Sequence, residues 1–221
     1  MDYDSLLELV KARRSIRRFK PDPIPDDYID KIIEVARQAP SGFNMQPWEF
    51  VIIKDKELRD KIVELFPPLA ELDAPNDFRI APVYIIQLGD PRTKAGLPEF
   101  IVDDQMMTDP IFVSSLANSF LCLNLAATSL GLTGQWITLA SAPHLQAGIK
   151  KLVGIPDFYK LYDVLAIGYP AAGPSPKLLR SAADMVHYDY CKLDEFRTGE
   201  EAAAFAKKTQ TWAKEQHKRQ T

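Results

Sequence analysis

One long apolar run constrains the fold of this chain more than any other feature. Residues 112–130 carry apolar side chains on nearly every side of a predicted helix. A helix that is apolar all round must be buried, either in a core or in a subunit interface. No unbroken apolar stretch approaches the ~20 residues needed to cross a bilayer, so we expect no membrane association. The polar residues that interrupt the run include Asn118, Asn124, Thr128 and Ser129.

Helices and strands alternate along the rest of the chain. The clearest helix lies in IPDDYIDKIIEVARQAP, which has Pro25 and two aspartates at its start and Pro40 at its end. This alternation predicts an α/β or α+β fold. Further helices are predicted at 4–13, in KDKELRDKIVELF, in PHLQAGIKKLVGIP and from 199 onward. Core strands are predicted at 48–53, at 81–89, in TGQWITLA and in YDVLAIGYP.

The chain shows no internal repeat, low-complexity tract or linker. We therefore expect a single domain over residues 1–221. Residues 66–110 are predicted to contain a lid, because 90–110 mix Pro, Gly, Asp and Met without a steady period. Residues 191–221 are predicted to form a C-terminal helical extension.

Charge and cysteine content limit the class of protein. The formal net charge of −3 argues against a surface made throughout for nucleic acid. The two cysteines, Cys122 and Cys191, form neither a C-x-x-C pair nor a metal spacing, and the three histidines have no partner at ligand spacing. The amino terminus lacks the pattern of a signal peptide. We expect a soluble, cytoplasmic protein without a metal.

A basic cluster stands out against this weakly acidic background. The segment RRSIRRF puts Arg13, Arg14, Arg17 and Arg18 around Ser15. Guanidinium forks beside a hydroxyl are well suited to a phosphate. The alternative is the C-terminus of a helix with solvated arginines, whose charge complements the helix dipole.

Two further stretches carry polar groups in unusual places. APSGFNMQPWEFVII, at 39–53, places Ser, Asn and Gln directly before a core strand, where they could contact the edges of a planar heterocycle. The alternative is an ordinary capped loop. After the last strand, Lys177 and Arg180 are either solvated tail charges or a second approach to the same anion as Arg13.

Taken together, these pieces resemble the nitroreductase family of FMN-dependent flavoproteins. RRSIRRF, APSGFNMQPWEFVII, GLTGQWITLA, GIPDFYKLYDVLAIGYP and PKLLR occur in the family's order between about residues 8 and 190. The resemblance implies an α+β fold, α/β-like in its alternation, with a central mixed or antiparallel sheet flanked by helices. It also implies an intertwined homodimer that binds FMN.

The resemblance also implies a role for particular residues. Arg13 and Ser15 would grip the FMN phosphate together with Arg180, while Arg17 would lie near the N1–C2=O edge of the ring. The loop at 41–46 would serve the cofactor of the partner subunit. The implied cofactor-binding residues are Arg13, Arg14, Ser15, Arg17, Ser41, Asn44, Gln46, Gln135, Trp136, Ile137, Thr138, Lys177 and Arg180.

The implied activity is an NAD(P)H-dependent FMN oxidoreductase. Reducing equivalents would pass to a nitroaromatic, a quinone or a similar electron-poor acceptor in a ping-pong cycle. No catalytic side chain is required, because the flavin N5 carries the chemistry. The alternatives are a flavin-binding storage or sensor protein, and a reductive dehalogenase-like member of the same family.

Some residues depart from particular subfamilies. Ser15 stands where flavin-destroying relatives carry Asp, which disfavours that subfamily. Residues 66–110 show no spacing that matches the Glu, Tyr and Lys by which dehalogenating relatives hold an amino acid. Trp136 either narrows the substrate pocket or stacks in the core. NAD(P)H would dock above the flavin, because no G-x-G-x-x-G follows a strand.

Overall fold

A computed structural model describes residues 2–67, 78–192 and 195–218. The chain forms two compact units, Met1–Gly173 and Pro174–Thr221, and each is described by itself. Residues 68–77 of the predicted lid lie outside the described residues, as do 193, 194 and 219–221 of the predicted C-terminal extension.

The first unit is built on a four-stranded sheet in the order β1-β2-β4-β3. Each neighbouring pair of these strands runs antiparallel, which selects the antiparallel alternative of the predicted sheet. The predicted α+β class is confirmed. The strands are β1 (Trp48–Ile53), β2 (Val83–Gly89), β3 (Thr133–Ile137) and β4 (Lys160–Gly168).

Helices cover both faces of this sheet. Every residue of β2 is buried, which explains why the strand reads as an almost continuous apolar run. Because successive side chains point to opposite faces, Tyr84 enters a core shared with α3 and α6, and Ile85 enters a core shared with α2 and α5. The helices are α1 (Tyr3–Ala12), α2 (Asp26–Arg37), α3 (Lys56–Glu64), α4 (Glu99–Val102), α5 (Gln105–Ser129), α6 (Pro143–Val153) and, in the second unit, α7 (Gly199–Lys218).

The long apolar helix begins earlier than the sequence predicts. Helix α5 starts at Gln105 rather than at 112, with Pro110 inside it. A proline removes one helical hydrogen bond and usually marks a boundary, which is why the sequence places these turns in a lid. The Asp104 carboxylate caps the helix by accepting a hydrogen bond from the Met106 N–H at 2.8 Å.

Helix α5 is therefore longer than the longest apolar stretch expected from the sequence. By length and composition alone it could cross a bilayer, since its most apolar window of 18 residues has a mean hydropathy of 1.5. One face, which includes Phe112, Leu116 and Phe120, is instead buried against α2 and the sheet, as in the core helix of a globular unit. The other face leaves Val113 and Leu121 49% and 45% exposed.

The second unit consists of an extended segment followed by α7. A short 3-10 turn at Ala182–Asp184 interrupts the segment. The Trp212 indole N–H of α7 donates to the Pro176 carbonyl at 3.2 Å, which ties the helix to the segment. The prediction of a helix from 199 onward is confirmed.

Candidate functional site

The basic cluster begins where α1 ends. Arg13 is the C-cap of α1 and has extended backbone angles, so the chain leaves the helix at this residue. The segment then pairs with the exit of β4: the Lys20 N–H donates to the Tyr169 carbonyl, and the Ala171 N–H donates to the Arg18 carbonyl, each at 2.9 Å. The end of the motif is therefore held against the exit of the sheet, after a tight turn in which the Ile16 N–H donates to the Arg14 carbonyl at 3.0 Å.

Two contacts fix this segment to the sheet. Phe19 is buried and forms an isolated bridge with Pro170. It lies so close to Gly168 that a Cβ there would come within 2.9 Å of the Phe19 ring, so the close approach requires glycine. At the neighbouring strand, the Thr133 hydroxyl donates to the Arg14 carbonyl at 3.2 Å. The arginines thus lie beside the start of β3 and the end of β4.

The electrostatics of the cluster favour an anion. Burial lowers the pKa of Arg14, and the charge of Arg13 lowers it further. Burial also lowers the pKa of Arg17, even though much of this side chain still reaches solvent. Within the described ranges no carboxylate lies within ion-pair distance of Arg13, Arg17 or Arg18. Clustered cations without a carboxylate partner are well suited to bind a negatively charged group.

The loop at 41–46 has a strained backbone. Phe43, Asn44 and Gln46 have positive φ angles of 51°, 54° and 46°. Such angles are uncommon for residues other than glycine and cost about 1–3 kcal/mol each in unfavourable cases. The surrounding structure must hold the loop in this conformation, and strain of this kind is frequent at ligand sites.

Helix α5 supplies the contacts that hold the loop. The Gly42 N–H donates to the Ser115 hydroxyl at 3.0 Å, and the Asn118 amide donates to the Pro40 carbonyl at 3.1 Å. A Cβ on Gly42 would meet Ile111 at 2.3 Å, so the loop touches the helix directly. Within the loop, the Gln46 N–H donates to the Ser41 hydroxyl at 3.1 Å. These bonds leave the Asn44 and Gln46 side chains at the surface.

The loop and the basic cluster are attached at different ends of α5. The loop is fixed at Ser115, whereas Arg14 is fixed at Thr133, just beyond the C-terminus of the helix. Ser115 and Ser129 alone are about 20 Å apart at 1.5 Å per helical residue. A ligand the size of a single phosphate is too short to contact both the loop and the basic cluster of one chain. A longer ligand could span this distance, or a second chain could bring its own loop to the cluster.

The third predicted group lies on β3 and the turn that follows it. Gln135 is buried, and its side-chain oxygen has no hydrogen-bond partner within the described part of the chain. An unpaired buried acceptor is costly, so it marks a position where a ligand can donate a hydrogen bond. The strand ends at Ile137, and Thr138 opens a 3-10 turn rather than continuing the predicted strand.

Trp136 is partly buried and packs against the core, which is one of the two roles left open by the sequence; the other, narrowing the substrate pocket, stays a prediction. Its ring lies 4.3 Å from the Phe120 ring of α5, centroid to centroid. Its indole N–H donates to the Asp163 carboxylate at 2.5 Å. Neither Asp163 nor its neighbour Gln87 is a sequence-predicted site residue. The signal that was available is a lone carboxylate within the apolar strand YDVLAIG.

The remaining predicted residues, Lys177 and Arg180, belong to the second unit. There the Arg180 guanidinium donates to the carbonyl of Asp184. Their predicted convergence on the anion of Arg13 stays a prediction.

A comparison with known protein families matches most of the chain. The model of the nitroreductase family matches residues 10–169. A protein of Methanothermobacter thermautotrophicus with the provisional name NADH dehydrogenase/NAD(P)H nitroreductase is 32% identical over 184 residues, which cover 83% of this chain and 86% of that protein. Iodotyrosine deiodinase 1 of Rattus norvegicus is 28% identical over 211 residues, covering 84% of this chain and 70% of that protein.

Solved structures share the fold. The NADPH:FMN oxidoreductase of Vibrio harveyi, solved with NAD⁺, superposes with a TM-score of 0.69 at 22% identity, covering 93% of this chain and 85% of that one. Identity this low supports the common fold alone.

Proposed function

Because the chain belongs to the nitroreductase family, we propose that it is an FMN-dependent oxidoreductase. It would take reducing equivalents from NAD(P)H and pass them to a nitroaromatic, a quinone or a similar electron-poor acceptor. The observation that carries the proposal is the arginine cluster, whose Arg13 and Arg17 have no carboxylate partner within the described residues and lie beside β3 and β4.

The residues present fit FMN. Its doubly charged phosphate matches Arg13 and Ser15, because a guanidinium fork and a hydroxyl bind phosphate oxygens well. The unpaired oxygen of Gln135 offers an acceptor for a ring N–H. Arg17 would put a positive charge at the N1–C2=O edge, where reduction adds negative charge. When bound, FMN supplies hydride transfer through N5, so this chain need only bind, orient and stabilise it.

We also propose that the working form is a homodimer. The exposed stripe of α5, defined by Met107, Val113 and Leu121, leaves large apolar side chains in water. Helix α1, which packs near α5, buries none of its residues and exposes Leu6 and Val10. A second copy would cover this surface with the same surface of its own. It would also bring its loop at 41–46 towards the basic cluster of the first copy.

A reductive dehalogenase is the second candidate. The similarity to iodotyrosine deiodinase 1 supports it. Two cations of the predicted lid are already paired: Lys94 with Asp109, and Arg92 with Asp90 at 2.6 Å. Paired cations are less able to hold the carboxylate of an amino-acid substrate, so an uncharged acceptor is favoured.

The absorption spectrum of the purified protein tests the function. A yellow protein that bleaches with NAD(P)H and regains its colour with a nitroaromatic or quinone supports the oxidoreductase. Recovery with iodotyrosine and release of iodide, without recovery by the other acceptors, supports the dehalogenase. Colour that persists in excess NAD(P)H supports a storage or sensor protein and contradicts both.

Loss of a phosphate-binding arginine should weaken FMN binding. We expect Arg13→Ala to raise the Kd for FMN about 10–100-fold, because a charged hydrogen bond contributes about 1.5–3 kcal/mol. Fluorescence titration of the apoprotein measures this. Lys20→Ala removes a positive charge from the same segment, at an exposed position outside the arginine cluster, and should change the Kd less than threefold, within the range of surface substitutions. Equal losses in both variants would show a general charge effect and remove the phosphate assignment.

A further inference from the structure

Asp163 is a carboxylate in an otherwise apolar core. It is only 6% exposed and lies in β4, on the face of the sheet that α5 covers. The register between β2 and β4 shifts at this position: Gln87 pairs with Asp163 and Leu88 pairs with Leu161, so Tyr162 is an extra residue in β4. A bulge of this kind re-aims the neighbouring side chain. Here it accompanies the contact of Asp163 with the Trp136 indole.

Gln87, opposite Asp163, has one hydrogen bond and one unpaired atom. Its amide Nε2 donates to the Leu116 carbonyl of α5 at 2.8 Å. That bond fixes the orientation of the Gln87 amide, because the Leu116 carbonyl needs a donor and only the NH2 end of the amide is one. The Gln87 Oε1 is therefore the remaining atom, and it is buried without a partner within the described chain. Directly paired residues on antiparallel strands place their Cβ atoms about 5 Å apart, so the Asp163 carboxyl lies within reach.

A single proton completes this arrangement. Ionised Asp163 would accept from Trp136 but would turn a negative oxygen towards the Gln87 carbonyl oxygen, which also only accepts. Protonated Asp163 accepts from Trp136 with one oxygen and donates to Gln87 with the other. We propose that Asp163 is a positioning residue that carries this proton, and so joins Trp136, Gln87 and the Leu116 carbonyl into one hydrogen-bonded chain across β3, β4, β2 and α5.

The surroundings of the carboxyl support this assignment. Burial raises the pKa of Asp163 to about 6, although the hydrogen bond from Trp136 opposes the rise. Two titratable side chains of the adjoining apolar cluster are neutral at this pH. Burial raises the pKa of Tyr162, as does the charge of Asp163, and burial raises the pKa of Cys122 on α5, which packs against the same cluster as Tyr162. Strand β3 has no ionisable side chain; Tyr84 of β2 and Glu49 of β1 lie on the opposite face.

The direction of the pH effect follows from that shift. The pKa of Asp163 is raised above its ordinary value of 3.8, so the folded protein binds the proton more tightly than the unfolded chain. The stabilisation is complete below about pH 3.8 and is lost as the pH rises through about 6. Above that pH the hydrogen-bonded chain opens between Asp163 and Gln87.

The consequence for activity rests on the proposed function. Trp136 directly precedes Ile137 and Thr138, the backbone that the family resemblance places along the flavin. A fixed indole holds this backbone, since groups that position a bound ring depend on supporting contacts. Protonation of Asp163 should therefore tighten the flavin-facing segment.

An NMR titration of the flavin-free protein tests the proton directly. With ¹³C-labelled aspartate, the signal absent from Asp163→Asn belongs to Asp163. We expect it to titrate near pH 6, and the Trp136 indole N–H signal to move with the same midpoint. In Asp163→Asn the amide replaces both hydrogen bonds, so the indole signal should not move with pH. Asp22→Asn is the control, because Asp22 is exposed. In this variant the Asp163 signal and the Trp136 indole signal should move with pH as they do in the wild type. A midpoint below pH 5, or an immobile indole signal in the wild type, would overturn the proposal.

A second variant separates the hydrogen-bonded chain from simple burial. Gln87→Met keeps the volume but removes the acceptor, so the midpoint of Asp163 should fall by about one unit; an unchanged midpoint contradicts the role of Gln87. After FMN loading, the rate of flavin reduction by NAD(P)H should fall about twofold or more between pH 5.5 and 7.5 in the wild type, but not in Asp163→Asn. Absence of flavin binding would contradict the proposed function and leave the flavin-free titration to decide the role of Asp163.

Discussion

Phe120→Ala is expected to lower the free energy of unfolding by about 3–5 kcal/mol, the range for deleting a buried aromatic side chain. Phe120 has no exposed surface and lies in the core between the sheet, α2 and α5. Its ring lies tilted against the Trp136 ring, with centroids 4.3 Å apart, and meets the Tyr162 ring edge-on at 5.9 Å. The substitution removes both ring contacts and leaves a cavity that the rigid sheet cannot close.

Chemical denaturation of the flavin-free protein measures this loss. Leu152→Ala on α6 is the control, because Leu152 is 39% exposed and its truncation also removes apolar atoms from a helix. It should cost less than about 1 kcal/mol, as most surface substitutions do. If Phe120→Ala lowered the free energy of unfolding no more than Leu152→Ala does, this result would contradict the described packing of α5 against β3.

Most of the fold could be predicted from the sequence because its signals are local. The start of α2 at Asp26 follows from Pro25 and paired aspartates, and the buried strand β2 follows from its apolar run. The start of α5 could not be predicted, because Pro110 resembles a boundary and only tertiary packing keeps it inside the helix. The family was predicted correctly, because several weak motifs occur in one order.

The site was harder to predict because it depends on contacts distant in sequence. The basic cluster and the loop at 41–46 are visible as motifs, but their attachment to β3 and α5 is not. The positive φ angle of Phe43 has no signature in its residue type. The pairing of Gln87 with Asp163 depends on a strand register that a bulge alters.

Leu121→Arg is expected to break the homodimer and, with it, FMN binding. Leu121 lies in the exposed stripe of α5, where it is 45% exposed in one chain. In a symmetric interface the substitution occurs twice, and each copy places an unpaired charge in a desolvated surface, at about 3–5 kcal/mol. The dissociation constant of the dimer should rise by at least about 100-fold. FMN affinity should fall in parallel, because the loop at 41–46 of one copy would no longer reach the basic cluster of the other.

Light scattering after size exclusion measures the mass, and fluorescence titration measures FMN binding in the same samples. Leu152→Arg is the matched control, since Leu152 is 39% exposed on α6, outside the exposed stripe. It should leave both the mass and the Kd for FMN unchanged. A Leu121→Arg protein that is monomeric but still binds FMN tightly would show that one chain forms the whole site. A dimer that survives the substitution would place the interface on another surface, because an unpaired arginine at the centre of an apolar contact is too costly to retain.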